Sequence, residues 1–253
     1  GCDITVVEML PALLPGCDAD LARPLVKRLT GMFKEVALET RVTGMKEKKS
    51  GIEVAFEGKN VPQRKTYEQV LVAVGRRPNG DQIDAAKAGV KVSERGFVEV
   101  DDQFRTSNPR IYAIGDIIGD PMLAHKAMAE GKVLADILAG DNTVFDARAI
   151  PAVVYTDPEI AWVGLTESEA KERNIPIAVK KMQWVASGRA TALGRTDGLT
   201  KVLFDPETQR VLGVGIVGPH AGEMISEGAL AIEMGAVATD IALTVHPHPT
   251  VSE

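Results

Sequence analysis

Apolar residues return at helical spacing between residues 18 and 33, where Leu21, Leu25, Leu29 and Phe33 share a face, and this predicts an amphipathic helix. Pro24 must then sit early in that helix or kink it. Residues 3–7 tend toward β-branched apolar side chains and stop at Glu8, the pattern of a buried parallel strand. Shorter β-like runs follow at 36–39, 51–56 and 69–74. The last runs into Gly75-Arg76-Arg77-Pro78-Asn79-Gly80, a breaker cluster that predicts a domain crossover near residue 77. Another short apolar run, 111–114, is halted by Gly115-Asp116 and followed by a loop and a helix over about 123–138. From residue 150 the texture changes, with strands near Val153, Ala161, Val202 and Val214 and helices from about Thr166 and Glu223. The expected fold class is therefore an α/β part followed by an α+β part.

Two local patterns need weighing. Gly213, Gly215 and Gly218 satisfy G-x-G-x-x-G, but Val211, Val214, Ile216 and Val217 around them spell a strand, and no acidic strand end follows some twenty residues on. Close packing of a sheet strand explains such glycines better than a phosphate loop. The stretch HPHPTVSE, residues 246–253, places His246 and His248 before prolines and hence in extended chain. Thr250 and Glu253 fit the capping box that opens a helix; alternatively Glu253 orients His248, five residues earlier, fixing its tautomer. Glu8 carries a similar ambiguity: a solvated strand end, or the acid that hydrogen-bonds a ribose in a dinucleotide fold.

Composition narrows the classes. In 253 residues, 45% hydrophobic and 25% charged, there is room for more than one ordinary domain core. A net charge of -6 without any Lys/Arg run argues against nucleic-acid binding. No apolar run approaches a membrane-spanning length, 211–217 being among the longest, and the expected setting is cytoplasmic with no membrane partner. Cys2 and Cys17 make neither a disulfide framework nor a metal quartet nor a CxxC pair, and His125, His220, His246 and His248 are too scattered for a metal cluster.

The order of segments resembles the pyridine nucleotide-disulphide oxidoreductases: a strand ending in Glu8, LVAVGRRPN at 71–79, IYAIGD at 111–116, PMLAHKAMAEG at 121–131, IPAVVYTDPEIAWVG at 150–164, and HPHPTVSE. Within that family it is most similar to the branch that oxidises dihydrolipoamide with NAD, since Glu8 stands where NADPH-dependent reductases carry basic residues. The resemblance implies the second half of an NAD-binding domain over 1–77, a central FAD-contacting domain over 78–149 and an α+β dimerisation domain over 150–253. It implies that His248 is the general base, oriented by Glu253, with His246 structural. Asp116 would take the FAD ribityl hydroxyls, and Met122, Leu123, Ala124 and His125 would set a helix start against the flavin. In the NAD site Glu8 would hold ribose, with Val42 and Gly75 lining the pocket. The implied partners are a second copy of the chain and the lipoyl-bearing acyltransferase of a 2-oxo acid dehydrogenase complex. The FAD domain, the redox cysteine pair and both glycine loops would precede Gly1, so the chain is expected to be a piece of a longer protein and inactive alone. Two other readings stay open, a non-catalytic dimerising module and a related flavin disulphide reductase.

Overall fold

The computed structural model of the chain describes residues 1–59 and 61–253. It divides into two compact units, one formed by Gly1–Val70 together with Arg148–Glu253, the other by Leu71–Ala147.

The first unit opens with a β-α-β turn of chain. Strands β1 (Thr5–Val7) and β2 (Glu35–Ala37) pair in parallel, and helix α1 (Ala19–Met32) connects them. Leu21 and Leu25 bury as their spacing predicts, and Pro24 is accommodated inside the helix near its start. Three antiparallel strands follow, β3 (Arg41–Lys48), β4 (Gly51–Glu57) and β5 (Arg64–Tyr67), with β4 between the others.

The rest of this unit is built on a five-stranded antiparallel sheet, in the order β6-β7-β10-β9-β8, from β6 (Ala152–Val154), β7 (Ile160–Gly164), β8 (Ala178–Gln183), β9 (Leu199–Phe204) and β10 (Val211–Val217). The short helix α4 (Gly188–Ala192) lies between β8 and β9 in sequence, helix α5 (Ala221–Glu233) packs across β7 and β10, and α6 (Ala238–Leu243) follows it. Alternation along the strands gives the sheet two apolar faces. Ala161, Val163, Val214 and Ile216 cluster with Ile225 of α5, whereas Ile160, Leu199 and Val217 cluster with Leu21 and Leu25 of α1.

The glycines of LGVGIVG belong to this packing. A Cβ at Gly215 would lie 2.4 Å from Leu21 Cδ1, and one at Gly213 would lie 1.9 Å from the Leu165 carbonyl oxygen. They admit a helix and a backbone to the strand, as expected of a sheet strand rather than a phosphate loop.

Charge also joins the two halves of this unit. Asp18, the N-cap of α1, accepts hydrogen bonds from Glu167 N (2.9 Å), Ser168 N (3.0 Å) and Ser168 Oγ (2.8 Å) at the start of α3 (Glu167–Glu172). Lys201 of β9, 1% exposed, places its Nζ 2.6 Å from Asp18, 2.8 Å from Asp20 and 3.0 Å from Glu167. Lys181 adds a second ammonium, 2.7 Å from Asp20 and 2.7 Å from Glu167. Burial pushes the Asp18 carboxyl up, but Lys201 and the N–H and O–H donors outweigh it and hold the group below the usual range. Burial pulls Lys201 down, and its three carboxylates more than reverse this.

The second unit has little regular structure. Three 3-10 turns, Gly80–Gln82, Ala85–Ala88 and Gly115–Ile117, and isolated bridges such as Arg105 to Tyr112 surround a small core of Ala85, Val90 and Val98. Its one long helix is α2 (Ala124–Ala139), close to the expected span. Two predicted strands are not formed here. Residues 111–114 contribute only the bridge at Tyr112, and residues 69–74 pair with no described strand, leaving Leu71, Val72 and Val74 at 91%, 59% and 92% exposure. An apolar run becomes a strand only where a neighbour's backbone can satisfy its N–H and C=O groups. Among the described residues no helix is long and apolar enough to cross a membrane.

Candidate active site

Residues 244–253 follow α6 with neither helix nor strand, and the chain bends at Thr244, His248, Pro249 and Val251. His248 Nδ1 lies 2.8 Å from Glu253 Oε2, with the imidazole side chain 79% exposed and the carboxylate 30%. A carboxylate on Nδ1 takes that nitrogen's N–H and leaves the lone pair on Nε2, the tautomer a general base needs. Thr250 Oγ1 donates to the Pro247 carbonyl at 2.7 Å, and Glu253 is turned to His248. His246 faces elsewhere, toward Glu227 on α5.

In the second unit Asp116 sits in the Gly115–Ile117 turn, where Gly115 has φ 80°, a conformation that suits glycine. The turn is fastened from below by Glu130 of α2, 1% exposed, which accepts the Gly115 N–H at 2.7 Å and pairs with Lys126, also at 2.7 Å. Arg76 bridges two of the predicted flavin positions: its Nη2 donates to the Met122 carbonyl at 2.7 Å and its Nη1 lies 3.4 Å from Asp116 Oδ2. Leu123 is the N-cap of α2, with Ala124 and His125 opening the helix. The positive dipole end of α2 is thus presented beside a carboxylate, which suits a ligand carrying both hydroxyls and developing negative charge.

Glu8 ends β1. Its backbone N–H donates to Ala37 O at 2.9 Å, and its carboxylate accepts the Leu10 N–H at 2.8 Å. Thr40 N donates to Glu8 O at 3.0 Å, bringing the start of β3, and with it the exposed Val42, to the same strand end. Gly75 belongs to the other unit; its φ is 100° and a Cβ there would meet nothing within 4 Å.

The structure therefore brings together His248 with Glu253, Asp116 with the 122–125 helix start, and Glu8 with the beginning of β3. Sequence reasoning passed over the residues that fasten these groups. Arg76 lay hidden in a breaker cluster. Glu130 and Lys126, four apart on α2, were readable as a helical pair, but nothing local marked them as buried.

A β-α-β unit whose first strand runs into an acid, together with an α+β domain carrying an oriented histidine, matches one family throughout. The chain belongs to the pyridine nucleotide-disulphide oxidoreductases: residues 1–131 match that family's profile and residues 150–253 match the profile of its dimerisation domain. Among curated relatives, the dihydrolipoyl dehydrogenase of Vibrio cholerae is 52% identical over 254 residues, taking in 100% of this chain and 53% of that protein. The dihydrolipoyl dehydrogenase of Thermus scotoductus is 47% identical over 255 residues, taking in 100% of this chain and 55% of its own. The chain thus spans about half the length of the curated relatives it matches. Among solved structures, the HOCl-induced flavoprotein disulfide reductase RclA from Escherichia coli superposes with a TM-score of 0.89 at 26% identity, covering 100% of this chain and 57% of that one. LpdA from Mycobacterium tuberculosis gives a TM-score of 0.90 at 25% identity, covering 99% and 54%.

Proposed function

We propose that this chain is part of an NAD-dependent dihydrolipoyl dehydrogenase that reoxidises the dihydrolipoamide of a 2-oxo acid dehydrogenase complex. The observation that carries the reading is the His248–Glu253 pair at 2.8 Å, an exposed imidazole held in the tautomer that accepts a proton on Nε2. His248 takes the proton of an attacking substrate thiol, because the thiolate is the nucleophile in disulfide exchange, and later returns it. Glu253 keeps the ring oriented.

The residues present suit the cofactors of such an enzyme. Asp116 offers a carboxylate to the ribityl hydroxyls of FAD, Arg76 holds that carboxylate beside the Met122 carbonyl, and Met122, Leu123, Ala124 and His125 set the N-terminus of α2 toward the ring. Glu8, with Val42 and Gly75, serves the adenosine side of NAD. When bound, FAD relays two electrons from the thiols to the nicotinamide. The thiol pair itself is not one this chain supplies: Cys2 is exposed, and burial together with the neighbouring Asp18 pushes the Cys17 thiol up to about 12, so it stays protonated.

The same reading assigns residues 1–77 to the NAD-binding domain, 78–149 to the central domain and 150–253 to a dimerisation domain that seats a second copy. Its partner is a lipoyl-bearing acyltransferase, and its setting the cytoplasm. Exposed apolar side chains on the last domain, Leu230 at 62%, Met234 at 77% and Leu243 at 81%, fit a surface that another copy covers. The test is turnover by the complete protein that contains this chain. Dihydrolipoamide should drive reduction of NAD in strong preference to NADP; a protein that binds flavin but reduces neither nucleotide with this dithiol would overturn the reading.

A further inference from the structure

Among the described residues, His246 meets two hydrogen-bond acceptors and no donor. Its Nδ1 lies 3.0 Å from the Thr244 carbonyl oxygen and its Nε2 lies 2.6 Å from Glu227 Oε1, with 16% of the side chain exposed. A neutral imidazole has one N–H and one lone pair, so it can satisfy only one of these oxygens and must turn its lone pair on the other. One more proton resolves the conflict. It belongs on the histidine, because an ordinary imidazole, with a pKa of ~6.5, outcompetes an ordinary Glu carboxylate at ~4.3. The hydrogen bond and charge of Glu227 raise the pKa of His246, partial burial opposes them, and the Thr244 carbonyl adds to the rise. Among the described residues Glu227 is the one charged group acting on this ring.

The same contact is an anchor. Other side-chain hydrogen bonds of residues 245–253 close within the segment: His248 to Glu253, Thr250 to Pro247, Ser252 to Thr250. Among the described residues, the bond from His246 to Glu227 is the one hydrogen bond that ties this segment to another element, helix α5. Its companion is apolar, the packing of Val251 against the domain core.

We propose that His246 is a positioning residue: as an imidazolium bridging Glu227 and Thr244, it pins the segment that presents His248, and loss of that proton loosens the segment. The inference rests on the reading of His248 as the base and adds to it a neighbouring charge that sets the base's placement. Because the folded pKa of His246 is raised, the clamp is fully formed below the unfolded value of ~6.5 and fades as pH rises through the folded value.

Nitrogen-15 NMR of the 253-residue chain tests this without flavin, nucleotide or thiol. Both ring nitrogens of His246 should carry protons at pH 6.5, and the backbone order parameters of His248 and Val251 should fall from about 0.85 toward 0.6 once His246 deprotonates. Glu227→Gln keeps the geometry, since its amide can donate to a neutral ring. It should lower the His246 midpoint while the segment stays ordered at high pH. Glu227→Ala should loosen the segment at every pH. A neutral His246 at pH 6.5, or order parameters unmoved in Glu227→Ala, would overturn the proposal. A complete enzyme that ignores dihydrolipoamide would sink the functional reading and leave these readouts standing.

Discussion

At the start of α1, Lys201 is 1% exposed and stands 2.6 Å, 2.8 Å and 3.0 Å from three carboxylates. At the other end of the chain His248 is 79% exposed and has a single carboxylate partner, Glu253, at 2.8 Å. Both are cation-capable nitrogens beside acids, yet their surroundings give them different work. Lys201 spends all its capacity on partners inside the protein, so its proton is fixed and its role is to join α1, α3 and β9. His248 commits one nitrogen and presents the other to solvent, so its proton can be exchanged. The number of partners and the degree of burial, more than residue type, separate a structural charge from a working one.

The contrast can be pressed first at Lys201. Lys201→Met leaves Asp18 and Asp20 without their shared cation, and breaking a buried pair from one side costs about 3–5 kcal/mol. The melting temperature should drop by roughly 10 °C for a chain of this size. Should the melt move by no more than the noise, the network is not the lock described. A smaller effect is expected at Glu253. In the complete enzyme, Glu253→Gln should slow dithiol oxidation roughly tenfold, less than loss of the base itself, because orientation and charge support go while the imidazole stays.

The smallest effect is one of pH on the buried network. Asp18 is held below the usual carboxylate range, so its contribution is present above the unfolded value of ~3.9 and is lost as pH falls through the folded one. Lys201 is raised, so its contribution is present below ~10.4 and is lost only above its folded value. Between these limits the network should add no slope to stability. The gap in urea midpoint between wild type and Lys201→Met should therefore be flat from pH 6 to 9 and narrow toward pH 4. A gap that widens on acidification would show that the carboxylates are not what Lys201 compensates.

Local patterns made part of this legible in the sequence. Leu21 and Leu25 declared the buried face of α1, and the five-residue spacing of His248 and Glu253 let a carboxylate be matched to an imidazole. The glycines of LGVGIVG were assigned to packing because their neighbours alternate like a strand, although Leu21, the side chain that needs Gly215, lies far away in sequence. Lys201 left a trace too, since in β9 it falls on the same face as Leu199 and Leu203. Its partner Asp18, 183 positions distant, left none. Arg76 read only as part of a turn because Met122, which its guanidinium holds, is 46 positions on. Residues 69–74 misled for the opposite reason: their pattern is that of a strand, but pairing depends on a neighbour that the pattern cannot supply.

The most direct test sets His248 against the chemistry it is assigned. In the complete enzyme, His248→Gln should slow reduction by dihydrolipoamide about 10²–10⁴-fold while oxidation of NADH by an artificial electron acceptor stays near the wild-type rate, because only the thiol steps need a positioned base. Equal loss in both reactions, or no loss in the first, would contradict the assignment.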